Sequence, residues 1–414
     1  MSAIAKQMIS RRFSRIKFRF GEIEWREPSI GEFGLYIHVP FCRMYCLYCP
    51  FYKVYFDERL KEKYLEGVKQ EVELRGVNGK AVWTYVGGGT PNLLRPEELR
   101  SLLSHLSQFV ELGEVGMEGN PFEFTPEYLE KIAEAGISKV SVGVESFQTN
   151  TLRAVKRAYA DKKVIERVVK AAQKFGLSVN IDLMVGLPEQ SREGCVKDVR
   201  TIADIGPDQV TIYPYIVIHG VKVNPAMRPK FMFEIIEESW EILKDYGYDR
   251  DSIWVFTKGP HIYDTSKEEL VRDYFGLGPG AFSTINNIQT VNPPIELWLR
   301  SVNNSKRLAF YTRLDSESRA WRTFAHELYK LRLNPEVISK LPRKIRAVFS
   351  LLRITGHVKG FEVTKKGIYL VHELTKTVVE SLPFPLNKLE SVENYSEYQD
   401  ALAKLINPTF FYIS

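Results

Sequence analysis

The sequence predicts an α/β fold: a partial (βα)6 barrel followed by a mostly helical, winged-helix-like C-terminal domain. Between residues 35 and 213, six short apolar segments alternate with amphipathic segments of helical length, which is the pattern of successive βα units. Beyond residue 320 the apolar residues instead recur at a period near 3.6. A chain of 414 residues is long enough for two domains.

The composition is that of a globular protein with a sizeable core, since 44% of the residues are hydrophobic and 26% are charged. No apolar run reaches the length of about 20 residues that spans a bilayer. The N-terminal residues lack the apolar core of a secretory signal. We therefore expect a cytoplasmic, reducing location without a membrane span. The net charge of +6 is too small to indicate a nucleic-acid partner.

Three ranges are expected along the chain: a basic N-terminal arm over residues 1–30, a core with its extension over 31–285, and an accessory domain that covers the substrate over 286–414. The arm is rich in Lys and Arg and contains no acidic residue before Glu22. Organellar transit peptides share this pattern. However, Ile16, Phe18 and Phe20 alternate with basic residues as in a half-buried strand, which favours a solvated basic arm over a transit peptide.

A cysteine-rich loop follows the first predicted strand, residues 35–39. It contains three of the four cysteines of the chain, Cys42, Cys46 and Cys49, so that only Cys195 lies elsewhere. Three thiols this close cannot all pair locally, and we therefore expect a metal site rather than a disulfide framework. The thiolates suit a [4Fe–4S] cubane with one open iron, where a small chelating molecule could bind. The alternative is zinc, which would need a fourth ligand such as His38.

The remaining elements are predicted from periodicity and from capping residues, with Thr125 at a helix start and Gly76 at a helix end. The predicted helices are 58–75, 96–110, 125–135, 162–175, 191–205, 231–246, 321–331 and 334–354. The predicted strands are 81–86, 115–118, 139–144, 177–183, 209–213 and an edge strand at 253–256. A wing-like β-hairpin is expected over 361–370, turning at Gly367.

Glycines and acidic residues stand where the predicted strands end, which is the edge at which βα folds place their chemistry. Glycines 87–89 either admit a ligand close to the backbone or form a tight turn. Glu118, Glu145 and Asp182 end three successive strands. Each alone could equally be a helix N-cap or a surface residue. Together, beside the glycines and the cysteine loop, they favour a shared binding cavity.

These motifs resemble the radical S-adenosylmethionine (SAM) superfamily, and within it the branch around oxygen-independent coproporphyrinogen oxidase, the HemN/HemW type. The resemblance covers about residues 35–285 and comprises six motifs in order. They are LYIHVPFC at 35–42, the cysteine triplet, GGGTP at 87–91, SVGVESF at 141–147, DLMVGLP at 182–188 and YFGLGPGA at 274–281.

The resemblance implies a [4Fe–4S] cluster on Cys42, Cys46 and Cys49, whose open iron is chelated by SAM. Reductive cleavage of SAM would give methionine and a 5′-deoxyadenosyl radical. One or two SAM molecules would be held by a shell of ten residues. These are Tyr36 near the cluster, Tyr48 beside the adenine, Gly88, Gly89, Thr90, Glu118, Glu145, Arg157, Asp182 and Met184. Glu145 and Arg157 are the expected catalytic residues, because an arginine can pair a carboxylate bidentately.

The implied reaction is hydrogen abstraction from a C–H bond of a small molecule or tetrapyrrole, as in the oxidation of coproporphyrinogen in porphyrin biosynthesis. The electron donor would be a flavodoxin or a ferredoxin. The alternatives are methyl transfer with two SAM molecules, a haem-binding chaperone, and a structural zinc or nucleic-acid module.

The chain departs from the pattern of the branch at several positions. It has Glu145 in place of Gln, Tyr159 in place of His and Phe51 in place of a further cysteine. Residues 264–271 replace the His-Asn-x-x-Tyr-Trp segment of the chaperones. These departures indicate a divergent member.

Overall fold

The computed structural model describes residues 18–217, 223–259 and 273–380. The strands in these ranges are β1 Arg19–Ile23, β2 Glu32–Val39, β3 Phe41–Cys42, β4 Val54–Tyr55, β5 Gly79–Gly88, β6 Val110–Gly119, β7 Ile137–Glu145, β8 Ser178–Val185, β9 Gln209–Pro214, β10 Asp249–Arg250, β11 Val255–Thr257, β12 Tyr274–Leu277, β13 Phe282–Ile285, β14 Ile288–Val291, β15 Arg307–Arg313, β16 Val358–Lys359 and β17 Glu362–Val363. The helices are α1 Glu58–Arg75, α2 Pro96–Leu106, α3 Pro126–Glu134, α4 Thr149–Ala154, α5 Lys162–Lys174, α6 Arg192–Ile205, α7 Pro229–Asp245, α8 Ile295–Asn303, α9 Ser316–Tyr329, α10 Pro335–Lys340, α11 Arg343–Ile354 and α12 Lys365–Glu380.

Thirteen of the described strands form one sheet, in the order β1-β15-β14-β13-β12-β2-β5-β6-β7-β8-β9-β11-β10. Strands β2 and β5 to β9 are neighbours in chain order, and all their pairings are parallel. Each of these strands is followed by a helix, from α1 after β2 to α7 after β9. The six βα units therefore run in one direction along the sheet, as the sequence predicts, and all their carboxyl ends meet at one edge.

Helix α1 shows how the local sequence sets the elements of this frame. Asp57 caps its start by accepting the backbone N–H of Leu60 at 2.8 Å, and Gly76 ends it in the left-handed conformation with φ 61°. Between the caps, Tyr64, Val68 and Val72 are fully buried against the sheet. The predicted bounds of this helix are confirmed.

Antiparallel strands extend the sheet beyond β2. Strand β12 pairs parallel with β2 and then antiparallel with β13, and the series ends with β1 along β15. The strand predicted around Phe20 is confirmed, since its ring centroid lies 4.8 Å from that of Phe310. Residues 1–17, with most of the predicted basic arm, lie outside the described residues. The sheet continues past residue 285 to Arg313, and the division of the chain into three ranges stays a prediction.

A buried carboxylate ties helix α1 to the turn after β12 and to α8. Glu71 is fully buried and accepts hydrogen bonds from the Gly278 backbone at 2.8 Å, from Asn292 Nδ2 at 2.8 Å and from Trp298 Nε1 at 3.0 Å. The guanidinium of Arg75, also fully buried, lies 3.4 Å from the same carboxylate. A buried charge is tolerated only when its partners are present. The network therefore fixes the Gly-Leu-Gly-Pro-Gly turn against the first βα unit.

Several predicted elements of the core differ from the structure only at their ends. The helix predicted over 96–110 ends at Leu106, because strand β6 already begins at Val110. The short helix α4 was not predicted. Strand β11 matches the predicted edge strand, but β10 lies outside it at the edge of the sheet.

Two predictions for the C-terminal helices are wrong. The helix expected over 334–354 is divided into α10 and α11, because Pro342 lacks an amide donor and holds Leu341 in an extended conformation. The hairpin expected over 361–370 is instead the short pair β16–β17, and Gly367 lies in helix α12. A Cβ at Gly367 would lie 2.0 Å from the carbonyl oxygen of His357, so this glycine serves close packing rather than a turn.

None of the helices in the described ranges combines the length and the apolar character that crossing a membrane requires.

We predict that Glu71→Gln will lower the free energy of unfolding by about 3 kcal/mol, because it leaves Arg75 without one of its two carboxylate partners and replaces one of the two acceptor oxygens by an amide donor. Urea denaturation of the cofactor-free protein measures this change. The matched control is Glu66→Gln, an exposed position on the same helix, for which we expect a change within about 0.5 kcal/mol. Equal stability of the two variants would contradict the assignment.

Candidate cofactor-binding site

A cavity of about 400 Å³ opens at the carboxyl ends of the parallel strands β5 to β9. It is lined by every predicted site residue except Tyr36. These residues are Cys42, Cys46, Tyr48, Cys49, Gly88, Gly89, Thr90, Glu118, Glu145, Arg157, Asp182 and Met184. Residues spread over 143 positions of the sequence are thus brought together at one edge of the sheet, as the strand-end argument predicts.

The cysteine loop closes one side of the cavity. Its two ends are joined by the short parallel pair β3–β4, and the Phe56 backbone N–H donates to the Cys42 carbonyl at 3.0 Å. All three thiols are free, and all three line the cavity. The loop therefore presents an unpaired thiol triplet to the interior of the site.

Two polar side chains contact the thiols. The Thr90 hydroxyl lies 3.5 Å from Cys42 Sγ, and Arg157 Nη1 lies 3.7 Å from Cys46 Sγ. Burial raises the pKa of Cys42 to about 12, which the Thr90 hydroxyl opposes. Burial also raises the pKa of Cys46, and the Arg157 charge opposes this effect. Thiols of this kind ionise when a metal supplies the missing positive charge.

Glycines 88 and 89 allow the cysteine loop to lie directly on the end of strand β5. A Cβ at Gly88, whose φ is 120°, would lie 2.8 Å from the Val39 carbonyl oxygen. A Cβ at Gly89 would lie 2.7 Å from the Phe41 carbonyl oxygen and 3.0 Å from Cys42 Sγ. Any side chain at these positions would push the thiols away from the sheet. That these glycines also contact a SAM molecule stays a prediction.

Two strand-end acids are buried in the cavity. Glu118 accepts the Gly88 backbone N–H at 2.6 Å and the Tyr85 hydroxyl at 3.4 Å. Burial, reinforced by the charge of Asp182, raises the pKa of Glu118 to about 8. Asp182 accepts the Ser141 hydroxyl at 2.5 Å, and burial raises its pKa to about 7. Ionising either acid therefore costs free energy, although the charge of Arg157 acts to lower the pKa of Asp182.

Glu145 and Arg157 form the centre of charge in the cavity. Arg157 Nη2 lies 3.5 Å from Glu145 Oε1, and it also donates to the Gly143 carbonyl and to Asn120 Oδ1, the latter at 3.4 Å. Glu145 stands at a bulge of strand β7 with φ 65°, which few residues other than glycine adopt. Burial raises its pKa, although Arg157 and a hydrogen bond from Tyr48 act in the opposite direction.

Tyr36, which the resemblance places near the cluster, does not line the cavity. It is buried below Gly87, and its hydroxyl lies 3.1 Å from His38 Nδ1. The other ring nitrogen of His38, Nε2, lies 2.9 Å from the Tyr52 carbonyl oxygen, and burial lowers the pKa of this histidine to about 4. His38 is thus engaged at both nitrogens, and the alternative of a zinc ligand at this position gains no support.

The donor set fits a [4Fe–4S] cluster with SAM. Within residues 18–217, 223–259 and 273–380, no group of three or more His, Cys, Asp and Glu side chains is placed to hold a single metal ion. A cubane distributes its ligands over separate irons and does not need its thiolates to converge on one point. Cys42, Cys46 and Cys49 suit the irons, and the buried acids and Arg157 suit the charged groups of an amino acid.

Several residues of the cavity were not predicted from the sequence. The outer wall is largely aromatic and comes from distant elements; it consists of Phe122, Tyr213, Tyr215, Ile216, Trp254 and Tyr329. Asn120 and Lys53 also line the cavity. Asn120 could have been found, because it belongs to the strand-end group Glu-Gly-Asn-Pro. No sequence signal connects Trp254 or Tyr329 with the cysteine loop.

The positions that depart from the family pattern differ in their location. Phe51 and Glu145 line the cavity, whereas Tyr159 is exposed and does not. The region 264–271, where the chaperone segment is missing, lies outside the described residues.

Known proteins resemble this chain in sequence. The model of the radical SAM superfamily matches residues 36–202. The heme chaperone HemW of Bacillus subtilis is 28% identical over 279 residues, which are 62% of this chain and 72% of that protein. The oxygen-independent coproporphyrinogen III oxidase of Helicobacter pylori strain J99 is 29% identical over 264 residues, which are 59% of this chain and 57% of that protein.

The fold is also that of a solved structure. Coproporphyrinogen III oxidase (HemN) from Escherichia coli, described as a radical SAM enzyme, superposes with a TM-score of 0.71. The match covers 85% of this chain and 91% of that chain at 22% sequence identity. At this identity it shows only that the two folds are similar. The predicted fold class is confirmed. Residues 36–202 therefore match the radical SAM superfamily, and the chain is similar to proteins of the HemN/HemW branch of that superfamily.

Proposed function

We propose that this protein is a HemN-like radical SAM enzyme that acts on a C–H bond of a tetrapyrrole-like substrate. The observation that carries the proposal is that three free thiols line one cavity at the strand ends together with four partly buried charged side chains, Glu118, Glu145, Arg157 and Asp182. Cys42, Cys46 and Cys49 would hold a [4Fe–4S] cluster. When bound, the cluster and SAM supply a carbon radical that takes a hydrogen atom, with electrons from a flavodoxin or a ferredoxin.

The buried acids are suited to the positive groups of SAM. Among the described residues, the partners of Glu118 are the Gly88 amide and the Tyr85 hydroxyl, and no cation pairs with it. A ligand with an ammonium and a sulfonium group would supply the missing positive charge. Titratable groups whose pKa is displaced by burial concentrate at functional sites, which supports the cavity as the place of binding.

Arg157 is suited to the carboxylate of SAM. Its guanidinium already reaches Cys46, Asn120 and Glu145, so it can hold a ligand carboxylate close to the thiols. Glu145 would orient Arg157 and would compete with the ligand for it. These roles make Arg157 a binding residue and Glu145 the group that sets how strongly it binds.

The outer wall is suited to a planar apolar substrate. Tyr213, Tyr215, Trp254 and Tyr329 line the same cavity as the charged groups, and aromatic surfaces of this kind exclude water. The names of the relatives connect two activities with this architecture, coproporphyrinogen oxidation and haem chaperoning. Both concern tetrapyrroles, and we propose this substrate class for the present chain.

The second candidate is a haem carrier, which the similarity to several proteins named heme chaperone HemW favours. Anaerobic reconstitution, followed by incubation with SAM, dithionite and either coproporphyrinogen III or haem, separates the candidates. We expect 5′-deoxyadenosine, formed by transfer of one hydrogen atom from the porphyrinogen, and decarboxylated product when a one-electron acceptor is supplied to take the remaining electron of the substrate radical. S-adenosylhomocysteine would indicate methyl transfer. Haem binding without cleavage of SAM would indicate the carrier and would contradict the enzyme.

We predict that Cys42→Ala, Cys46→Ala and Cys49→Ala will each remove most of the iron from the anaerobically reconstituted protein, because each substitution deletes a cluster ligand. Iron and sulfide analysis measures the loss. Cys195→Ala is the control, since Cys195 is a buried residue of helix α6 and does not line the cavity. An equal loss of iron from the Cys195 variant would contradict the ligand assignment.

We predict that Glu145→Gln will bind SAM about fivefold more tightly, because it removes a carboxylate that competes for Arg157 and so gains about 1 kcal/mol. Isothermal titration calorimetry of the reconstituted, oxidised protein measures the affinity. Glu189→Gln is a matched control, because Glu189 also has a positive φ, 64°, but is exposed outside the cavity. Weaker or unchanged binding by the Glu145 variant would contradict the competition.

We predict that Glu118→Gln will stabilise the cofactor-free protein increasingly as the pH rises from 5 to 8. The unfolded chain loses the Glu118 proton near pH 4.5, whereas burial and the charge of Asp182 hold the folded pKa at about 8. Glu118 therefore costs stability throughout this range, and the advantage of the variant should grow by about 2–4 kcal/mol.

Urea denaturation at several pH values measures this advantage. The groups facing Glu118 are Tyr85, Asp182 and Glu145, and all three are retained in the variant. The control is Glu130→Gln, an exposed position on helix α3, whose stability should parallel the wild type at each pH. An advantage of the Glu118 variant that does not change with pH would contradict the prediction.

A further inference from the structure

A lysine side chain is buried beside the cysteine loop. Lys53 is 6% exposed, lines the cavity, and follows Cys49 by four residues. Its ammonium donates to the carbonyl oxygens of Cys49 and Phe51, both at 3.0 Å, and lies 5.5 Å from the centre of the Tyr45 ring. These contacts fix the charge on the inner side of the loop.

The described surroundings of Lys53 contain no carboxylate that pairs with it. Another buried lysine, Lys61, shows the usual arrangement, since its ammonium lies 2.7 Å from Glu58 and 2.8 Å from Glu98. A buried ion without a counter-ion is costly, and two carbonyl dipoles compensate it only in part. The position of Lys53 therefore requires an anion in the adjacent cavity.

The cysteine triplet belongs to the same loop as Lys53 and lines the same cavity. The Lys53 ammonium donates to the carbonyl oxygen of Cys49, one of the three cysteines. It is buried there, where the effective dielectric is low and little salt can screen its charge. Arg157 brings a second cation to the triplet from outside the loop, since its Nη1 lies 3.7 Å from Cys46 Sγ, but Arg157 is paired with Glu145. Within the described part of the loop, Lys53 is the buried cation.

We propose that Lys53 is the counter-charge of the cluster and raises its reduction potential; this inference depends on the proposed cluster on Cys42, Cys46 and Cys49. Reduction adds one electron from an external one-electron donor and makes the cluster more negative by one charge. A fixed cation stabilises the reduced form more than the oxidised form. Lys53 is thus a positioning and tuning residue that does not react with the substrate.

We predict that Lys53→Gln and Lys53→Met will make the cluster harder to reduce. At the potential that half-reduces the wild-type cluster, the ratio of reduced to oxidised cluster should fall about tenfold, a shift of about 59 mV for one electron. Electron paramagnetic resonance of protein poised with dithionite and mediator dyes measures this ratio. Lys53→Arg keeps the charge and should remain near the wild type.

The control is Arg43→Met, which removes a cation next to Cys42 that is two-thirds exposed to water. Because solvent screens this charge, its loss should shift the ratio less than the loss of Lys53. A fully loaded Lys53→Gln variant with the wild-type ratio would overturn the proposal. An equal shift for the Arg43 variant would also overturn it, because burial would then be irrelevant.

Iron content separates the ways in which the experiment can fail. If Lys53→Gln and Lys53→Met do not hold about four irons but Lys53→Arg does, the charge is required and the proposal is supported. If Lys53→Arg also loses its iron, the role of Lys53 is packing and the proposal is wrong. If the wild-type protein itself binds no cluster, the proposed function fails rather than the role of Lys53.

Discussion

The close contact between the cysteine loop and the end of strand β5 is the constraint on which the rest of the site depends. Gly88 and Gly89 leave no space for a Cβ between the strand and the loop backbone, and Cys42 lies directly above them. Since β5 is an interior strand of the parallel sheet, the loop takes its position from the hydrophobic core. The packing of β5 in the hydrophobic core, away from the thiols, therefore stabilises the position of the unpaired thiol triplet.

The cavity collects more buried charge than its own residues neutralise. Glu118 and Asp182 lie side by side without a dedicated cation, and Lys53 lies without a dedicated anion among the described residues. A fold selected for stability alone would remove such groups, because each ionised form loses its hydration on burial. A ligand that carries both positive and negative groups can instead pair with the separated charges of this cavity. An amino acid sulfonium beside an anionic cluster has this character.

The sequence predicts the local elements of this site better than its walls. Cysteine spacing, the glycines at 87–89 and the strand-end acids are visible because each is a property of a short segment. Trp254 and Tyr329 reach the cavity only through the packing of β11 and α9, which no periodicity reveals. The prediction of a turn at Gly367 was wrong for a related reason. A glycine needed for helix packing and a glycine needed for a turn cannot be distinguished in the sequence. Contacts between distant parts of the chain are therefore the features of this site that the sequence does not predict.

Glu145 shows how one residue can adjust a shared architecture. Its backbone is held at φ 65°, a conformation that costs about 1 kcal/mol or more and persists only where the surroundings impose it. The bulge turns its carboxylate toward Arg157, so the guanidinium is shared between the protein and any carboxylate that enters. A neutral amide here would leave Arg157 to the ligand. If Arg157 holds a ligand carboxylate as proposed, the glutamate would make binding depend on displacing an existing ion pair, and ligands that offer a carboxylate alone would bind less strongly. Ligands that also bring positive charge to Glu118 and Asp182 are thereby favoured.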